Sequence, residues 1–423
     1  MTTTPIHHSV YRHIDRLHRK YIDFLQELIK YRSTAGNEKE IQDRICKQFR
    51  TIGLVVDQFD IPEDQLSIDP AFVRTGMNYS GRPINVAVLR GTRHGRSLAL
   101  NAHIDIAPVE DQESWVHPPF EGVIEGNKIY GRGVVDDKAG VSVMLLVAEA
   151  LIASGVEIAA DVLFQTVIED EISGNGSLAC MRKGYTSDGA IVLDGTWPER
   201  AVVSHLGQQW VQLKIPGEAK AACNNSRASN PVQFVPPLLT VLRDLERELN
   251  RGVSWFGIEN PCYVSIGSLS AGIWAGSTPE NISLNLQIGF CSPWTFSEVR
   301  EMFQDNISNC DQLPDNIEVQ FLGLSTNPVD GDPENELCIL LKRAVRENFD
   351  KELEVVPVTG HADIRHFTNA KGQSVPVCLY GPGGGGNPHI ANEYYHLDHM
   401  PVVAKNLVHA ILNWWGNISH SPG

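Results

Sequence analysis

No stretch of this chain approaches the roughly 18 consecutive apolar residues that a membrane span requires. Residues Met1 to Val10 are polar and histidine-containing, with no apolar centre that could serve as a secretory signal. The eight cysteines are scattered without a CxxC pair, which argues against a zinc ribbon or a disulfide framework. They read as reduced thiols and point to a cytoplasmic protein, so the Asn-x-Ser triplets at Asn78, Asn281 and Asn306 are chance matches. Positive charge is also scarce. With 35 basic against 51 acidic residues and a net charge of −16, the chain is a poor partner for nucleic acid or an anionic membrane. Internal repeats and low-complexity tracts are absent from the sequence.

What remains is an ordinary globular composition, 42% hydrophobic and 20% charged, in 423 residues. That length favours two domains over one core. Ile14, Leu17, Tyr21, Phe24, Leu25 and Leu28 recur at helical spacing, and a second helix is expected from Glu38 to Ile52. Residues 61 to 83 read as loop. Strands are expected at Ile84–Leu89, Leu98–Ala102, Ala160–Ile168 and Gly189–Leu193, with a helix, apolar on nearly every face, at Ala139–Ser154. This alternation predicts a mostly parallel sheet, in which ligands gather at the carboxyl ends of strands.

After Leu206 the pattern changes. Gln209–Ile215 alternates and reads as an edge strand, followed by helices at Val232–Leu249 and Ser297–Ile307 and strands at Tyr263–Ile266, Ile282–Ile288 and Ile317–Leu322. Residues 206–322 therefore read as a smaller α+β domain inserted between 1–205 and 323–423.

Candidate chemistry collects behind the predicted strands. His103 and Asp105 share one face of an extended segment, and an imidazole with a carboxylate behind it is a common zinc arrangement. Asp136 and Asp137 follow the Gly131-Arg132-Gly133 turn at the start of the apolar helix. Asp136 fits either a helix cap or a carboxylate shared by two metals. Glu169-Asp170-Glu171 places three acids in succession, a costly arrangement without cations or solvent. Asp194 ends another buried strand, and His389 follows the Gly-rich loop Gly381–Gly386. A lone histidine there could be structural, yet a metal site accounts for His103, Asp136, Glu171, Asp194 and His389 together.

The successive stretches HIDIAP, GRGVVDDKAG, VIEDEISGNGS, DGAIVLDGT, TGHADIRHF and YGPGGGGNPHIANEYYHLDHM resemble the motifs of the aminoacylase, acetylornithine deacetylase and succinyl-diaminopimelate desuccinylase family. The resemblance runs from Tyr31 to Trp415. It implies an α/β zinc-peptidase-like catalytic domain with an inserted dimerisation (lid) domain, a homodimer, and a small-molecule amide substrate. It further implies two zinc ions, or cobalt or manganese at the same donors. His103 and Asp194 would hold one metal, Glu171 and His389 the other, and Asp136 would bridge them. Asp105 would orient His103, and the residue before Glu171 would take a proton from the bridging water.

Three positions depart from the family pattern. The proton acceptor is normally a glutamate, and here it is Asp170, whose carboxylate is drawn back by roughly 1.5 Å. The lid histidine that enters the partner's site is replaced by Ala221, in Gly217-Glu218-Ala219-Lys220-Ala221. The lid arginine that grips a substrate carboxylate is replaced by Gln287, whereas Asn230 matches a substrate-contacting asparagine and Arg365 is a remaining cation for a substrate carboxylate. Losing one oxyanion donor typically costs about a hundred- to a thousandfold in rate. The leading expectation is a two-zinc amidohydrolase acting on an N-acyl compound. The departures leave open a non-hydrolytic reaction at the same metals, such as amide formation, rearrangement or elimination. A non-enzymatic binding protein is the third reading, and the retained ligand set speaks against it.

Overall fold

A computed structural model describes residues 5–92, 95–109, 111–224, 230–386 and 388–415. The sequence expectations for Met1–Thr4 and for Asn387 in the Gly-rich segment lie outside the described residues. Eight strands form the large sheet, in the spatial order Val55–Asp60, Pro83–Leu89, Val162–Val167, Leu98–His103, Ala190–Val192, Val377–Leu379, Arg200–His205 and Glu354–Val358. Its centre is parallel: Leu98–His103 lies between Val162–Val167 and Ala190–Val192, and Val377–Leu379 runs parallel to the last of these. Leu98–His103 and Val162–Val167 are buried along their whole length. That explains their nearly unbroken apolar runs, since a parallel strand has both faces covered.

Helices Pro5–Ile29, Ala139–Ala153, Glu336–Phe349 and His399–Trp414 pack on one another beside this sheet. Ala139–Ala153 buries twelve of its fifteen residues, which is why its sequence has no polar stripe. The parallel strands end at a common edge. His103, the Glu169–Glu171 turn, Asp194 and the Gly381–Gly386 loop all emerge there.

The second sheet is antiparallel, in the order Tyr263–Ala271, Asn281–Phe290, Gly207–Pro216 and Glu318–Gln320, with Ser325–Thr326 also paired to Gly207–Pro216. Helices Val235–Leu249 and Phe296–Ser308 pack with it around a separate core that includes Leu213, Leu242, Leu284, Ile288 and Phe303. The edge position expected for Gln209–Ile215 is incorrect, because this strand has partners on both sides. Its alternation reflects one covered and one open sheet face, a property that interior antiparallel strands share with edge strands. Tyr263–Ala271 forms one edge of this sheet and Glu318–Gln320 the other.

Three strands of the large sheet went unread in the sequence. Val55–Asp60 forms one edge, Arg200–His205 directly precedes the switch into the small sheet, and Glu354–Val358 contains Pro357. The segment between the strand at 98–103 and Gly131 holds a hairpin, Val123–Glu125 with Lys128–Tyr130. Tyr394–His396 joins it as a third strand. This small ribbon carries the segment after His389 to the Gly131–Gly133 turn.

Candidate metal centre

Two adjoining groups of possible ligands lie at the carboxyl edge of the large sheet: His103, Asp170 and Asp194, and Asp136, Glu171 and His389. Within each group the ligand atoms lie within 4.8 Å of one another. Asp136 joins the groups. Its Oδ1 is 2.9 Å from His103 Nε2 and its Oδ2 is 2.9 Å from His389 Nε2. His389 Nε2 is also 3.0 Å from Glu171 Oε2, and His103 Nε2 is 3.8 Å from Asp194 Oδ1. The five residues of the sequence-based ligand set are thus brought together, with Asp136 between the two histidines.

The local chain explains why Asp136 is available. Asp137 Oδ1 accepts the N–H of Gly140 at 3.1 Å, so Asp137 caps the helix that follows. A side chain at Gly140 would strike that carboxylate, its Cβ falling 2.1 Å from Asp137 Oδ1. Asp137 thus serves the helix start and leaves the Asp136 carboxylate turned to the two histidines. Glu393 holds the turn from behind: its carboxylate accepts the N–H groups of Gly133 at 2.8 Å and Val135 at 2.9 Å and pairs with Arg132 Nη1 at 2.8 Å. Sequence reasoning missed Glu393, although it stands four residues beyond His389 inside one of the motif stretches.

Asp105 reaches both sides of the centre. His103 Nδ1 lies 3.0 Å from the Asp105 carbonyl oxygen and 3.5 Å from its Oδ1. The same carboxylate accepts the N–H groups of Asp170 and Glu171, each at 3.2 Å. His361, also missed, lies against the acid turn, with Nε2 2.9 Å from the Asp170 carbonyl oxygen and 3.8 Å from Asp170 Oδ2. Burial pushes its imidazole down to about 4, and the Arg365 charge acts in the same direction. His361 is accordingly neutral at pH 7.

The remaining site candidates are placed as follows. Arg365 donates from Nη1 to the Ala362 carbonyl and from Nη2 to the Ser173 carbonyl, both at 2.8 Å, and lies 3.4 Å from Asp363. Its guanidinium thus braces the 362–366 turn against the Glu169–Gly174 turn. Asn230 Oδ1 accepts the N–H of Val232 and caps the short 3-10 turn Pro231–Phe234 in the small domain. Ala221 pairs with Ser277 beside the hairpin of the small sheet. Gln287 donates to Gln208 Oε1 at 2.7 Å and to the Tyr263 hydroxyl at 3.3 Å. Gln208 Nε2 in turn donates to the Thr359 carbonyl at 3.3 Å, two residues before His361.

The charge balance of the centre favours a cation. Burial pushes Asp170 well above the usual carboxylate range, with the charges of Asp363, Asp194 and Asp105 adding to it. Burial, and then the charge of Asp136, raises Glu171 to about 6 and also raises Asp194. Glu171 Oε1 is buried with no hydrogen-bond partner. An orphaned buried carboxylate oxygen is costly, and crowded acids with two imidazoles form a donor set suited to divalent metals. The residues present therefore fit a metal centre.

A mostly parallel α/β sheet that collects imidazoles and carboxylates at its strand ends is the architecture of a metal-dependent hydrolase. The chain belongs to peptidase family M20/M25/M40, whose sequence profile matches residues 99–413. It is 25% identical over 434 residues to the N-formyl-4-amino-5-aminomethyl-2-methylpyrimidine deformylase of Halalkalibacterium halodurans, covering 95% of this chain and 96% of that protein. Its fold superimposes on that of the di-peptidase Dug1p from Saccharomyces cerevisiae with a TM-score of 0.80 at 15% identity, over 98% of this chain and 99% of that one. The Bacillus subtilis YXEP protein, a dinuclear metal-binding peptidase of the M20 family, aligns with a TM-score of 0.61 at 13% identity over 96% of this chain and 99% of that one. At such identities the structural likeness concerns the fold. Family membership makes the chain a hydrolase of amide or peptide bonds.

Proposed function

We propose that the chain is a two-zinc amidohydrolase that releases an amine from a small N-acyl or N-formyl compound. The observation that carries this reading is the Asp136 carboxylate, with one oxygen 2.9 Å from His103 and the other 2.9 Å from His389. His103 and Asp194 would hold one zinc, Glu171 and His389 the other, and Asp136 would serve both. Metals held there would lower the pKa of water and polarise the amide carbonyl.

The chain's own groups supply the rest. Asp170, kept proton-accepting in a buried acidic setting, takes a proton from the attacking water and passes it to the leaving amine. His361 holds the Asp170 main chain in place. Gln287, Gln208 and Tyr263 form a neutral hydrogen-bonding set where the family resemblance expects an arginine. Such a set suits a polar uncharged group, such as the ring nitrogens and amino group of a pyrimidine, better than a carboxylate. The deformylase relative acts on a substrate of that description.

The small domain, taken as residues 206–322, would pair two copies into a homodimer. Its outer strand Tyr263–Ala271 is a long unpaired edge beside exposed Leu269, Ile273 and Trp274, a combination that favours pairing with a second chain. The decisive experiment measures zinc per chain and amine release from a panel of N-formyl and N-acyl amines and amino acids. Two zincs per chain with chelator-sensitive release from an uncharged amide are expected. Turnover that is indifferent to metal removal refutes the reading.

A further inference from the structure

The first acid of the Glu169-Asp170-Glu171 run has no place in the candidate ligand groups, and its surroundings are unusually well built. Glu169 is fully buried. Its Oε1 accepts Arg82 Nη1 at 2.7 Å, and its Oε2 accepts the Tyr79 hydroxyl at 2.7 Å and the Ser173 hydroxyl at 2.8 Å. Arg82 turns its remaining edge to Glu38, donating from Nε at 2.9 Å and also from Nη2. Both partners of this guanidinium are buried carboxylates. A planar guanidinium can hold two carboxylates in fixed directions, which an ammonium cannot do.

The backbone shows what this network secures. Glu169 has φ of +67°, the left-handed region that a non-glycine side chain occupies only when its surroundings hold it. That conformation reverses the chain directly after the strand Val162–Val167. The Glu169 carbonyl then accepts the N–H groups of Ser173 at 2.9 Å and Gly174 at 2.7 Å, closing the turn. Glu169 points away to Arg82, while Asp170 and Glu171 are presented to the metal groups with their N–H groups on Asp105. Three adjacent like charges are thereby directed to different partners.

We infer that Arg82, Tyr79 and Glu169 form a positioning unit that sets the direction of Glu171, and with it the affinity of the metal shared by Glu171 and His389. The inference rests on the proposed zinc pair. Its residues touch neither substrate nor metal; they act through the left-handed turn. Supporting groups of this kind typically change metal affinity by about 10- to 100-fold when altered.

The test follows zinc leaving the zinc-loaded protein into a chromogenic chelator, which requires no substrate. Glu169→Gln retains the shape of the side chain but loses the charge facing Arg82, and Tyr79→Phe removes the hydroxyl that joins Glu169, Asn175 and Thr75 with little change in packing. In both variants one of two zincs should leave about tenfold faster or more, while the other leaves at the wild-type rate. Val403→Ala, in the buried face of the helix His399–Trp414, supplies a comparable loss of stability away from this network and should release both zincs at the wild-type rate. Wild-type release from Glu169→Gln and Tyr79→Phe, or equal acceleration of both zincs in all three variants, overturns the inference. If Glu169→Gln does not fold, Tyr79→Phe decides the outcome. A wild-type chain that retains no zinc overturns the zinc-pair proposal and this inference together, whereas two zincs with no effect of these variants overturns only the latter.

Discussion

Asp105 and Glu171 are joined through the backbone: the Glu171 N–H donates to Asp105 Oδ2 at 3.2 Å. Because the other carboxylate oxygen serves Asp170 and lies near His103, a single side chain ties the candidate ligand on one strand end to candidate ligands on the next. Asp105→Asn preserves the shape but turns an NH2 group toward one of these donors. Zinc affinity and kcat should each fall about 10- to 100-fold. Zinc retained after dialysis, measured beside turnover, checks this, and unchanged values for both contradict it.

Asp170 has two conceivable duties, since its carboxylate lies in the same candidate ligand group as His103 and Asp194. The proton-transfer role predicts that Asp170→Asn keeps two zincs per chain while kcat falls about 100- to 10,000-fold. A variant that loses one zinc would place Asp170 among the ligands instead.

The neutral set at Gln208, Tyr263 and Gln287 makes specificity testable. Gln287→Arg should raise kcat/KM for an N-acyl amino acid relative to its carboxamide by about tenfold or more, the scale of one charge-assisted hydrogen bond of about 1.5 kcal/mol. An unchanged ratio would mean that this position does not face the substrate.

Acid should weaken the zinc-loaded protein through histidines remote from the centre. His409 is fully buried, and burial pushes its imidazole down to about 4; its ring nitrogens have no hydrogen-bond partner. In the unfolded chain such a group titrates near 6.5. The unfolded state therefore binds the proton first, so this stability is complete above about pH 6.5 and is lost as pH falls toward 4. The loss is about 1.4 kcal/mol for each pH unit in that window. His409→Leu should flatten the fall of Tm between pH 6.5 and 5, as followed by thermal melts. An unchanged slope would assign acid sensitivity elsewhere.

The parallel centre was legible because buried strands write unbroken apolar runs, each ending in a polar residue at the same edge. His103, Asp136, Glu171, Asp194 and His389 could be read individually as caps or surface groups, and only the motif resemblance bound them into one set. Contacts between distant segments left no such trace. Glu393 carries no periodic signal, Arg82 lies in a segment read as loop, and His361 was passed over for Arg365 in the same motif. The position of Gly207–Pro216 was misread because alternation reports which sheet face is covered and is silent on how many neighbours a strand has. Arg365 illustrates the same limit, since a sequence cannot show that carbonyl oxygens of Ala362 and Ser173 already occupy its guanidinium.

The ligand groups come from segments as far apart as His103 and His389, and the chain between them leaves the large sheet, builds the small one and returns. A metal seated among them acts as a clasp on the whole chain path, because the site does not exist until both sections of the catalytic sheet have met. Metal affinity then becomes part of folding free energy. Newly made chain would acquire its metal only after His389 has emerged, and a protein that loses the metal would open first at the seam between its early and late segments.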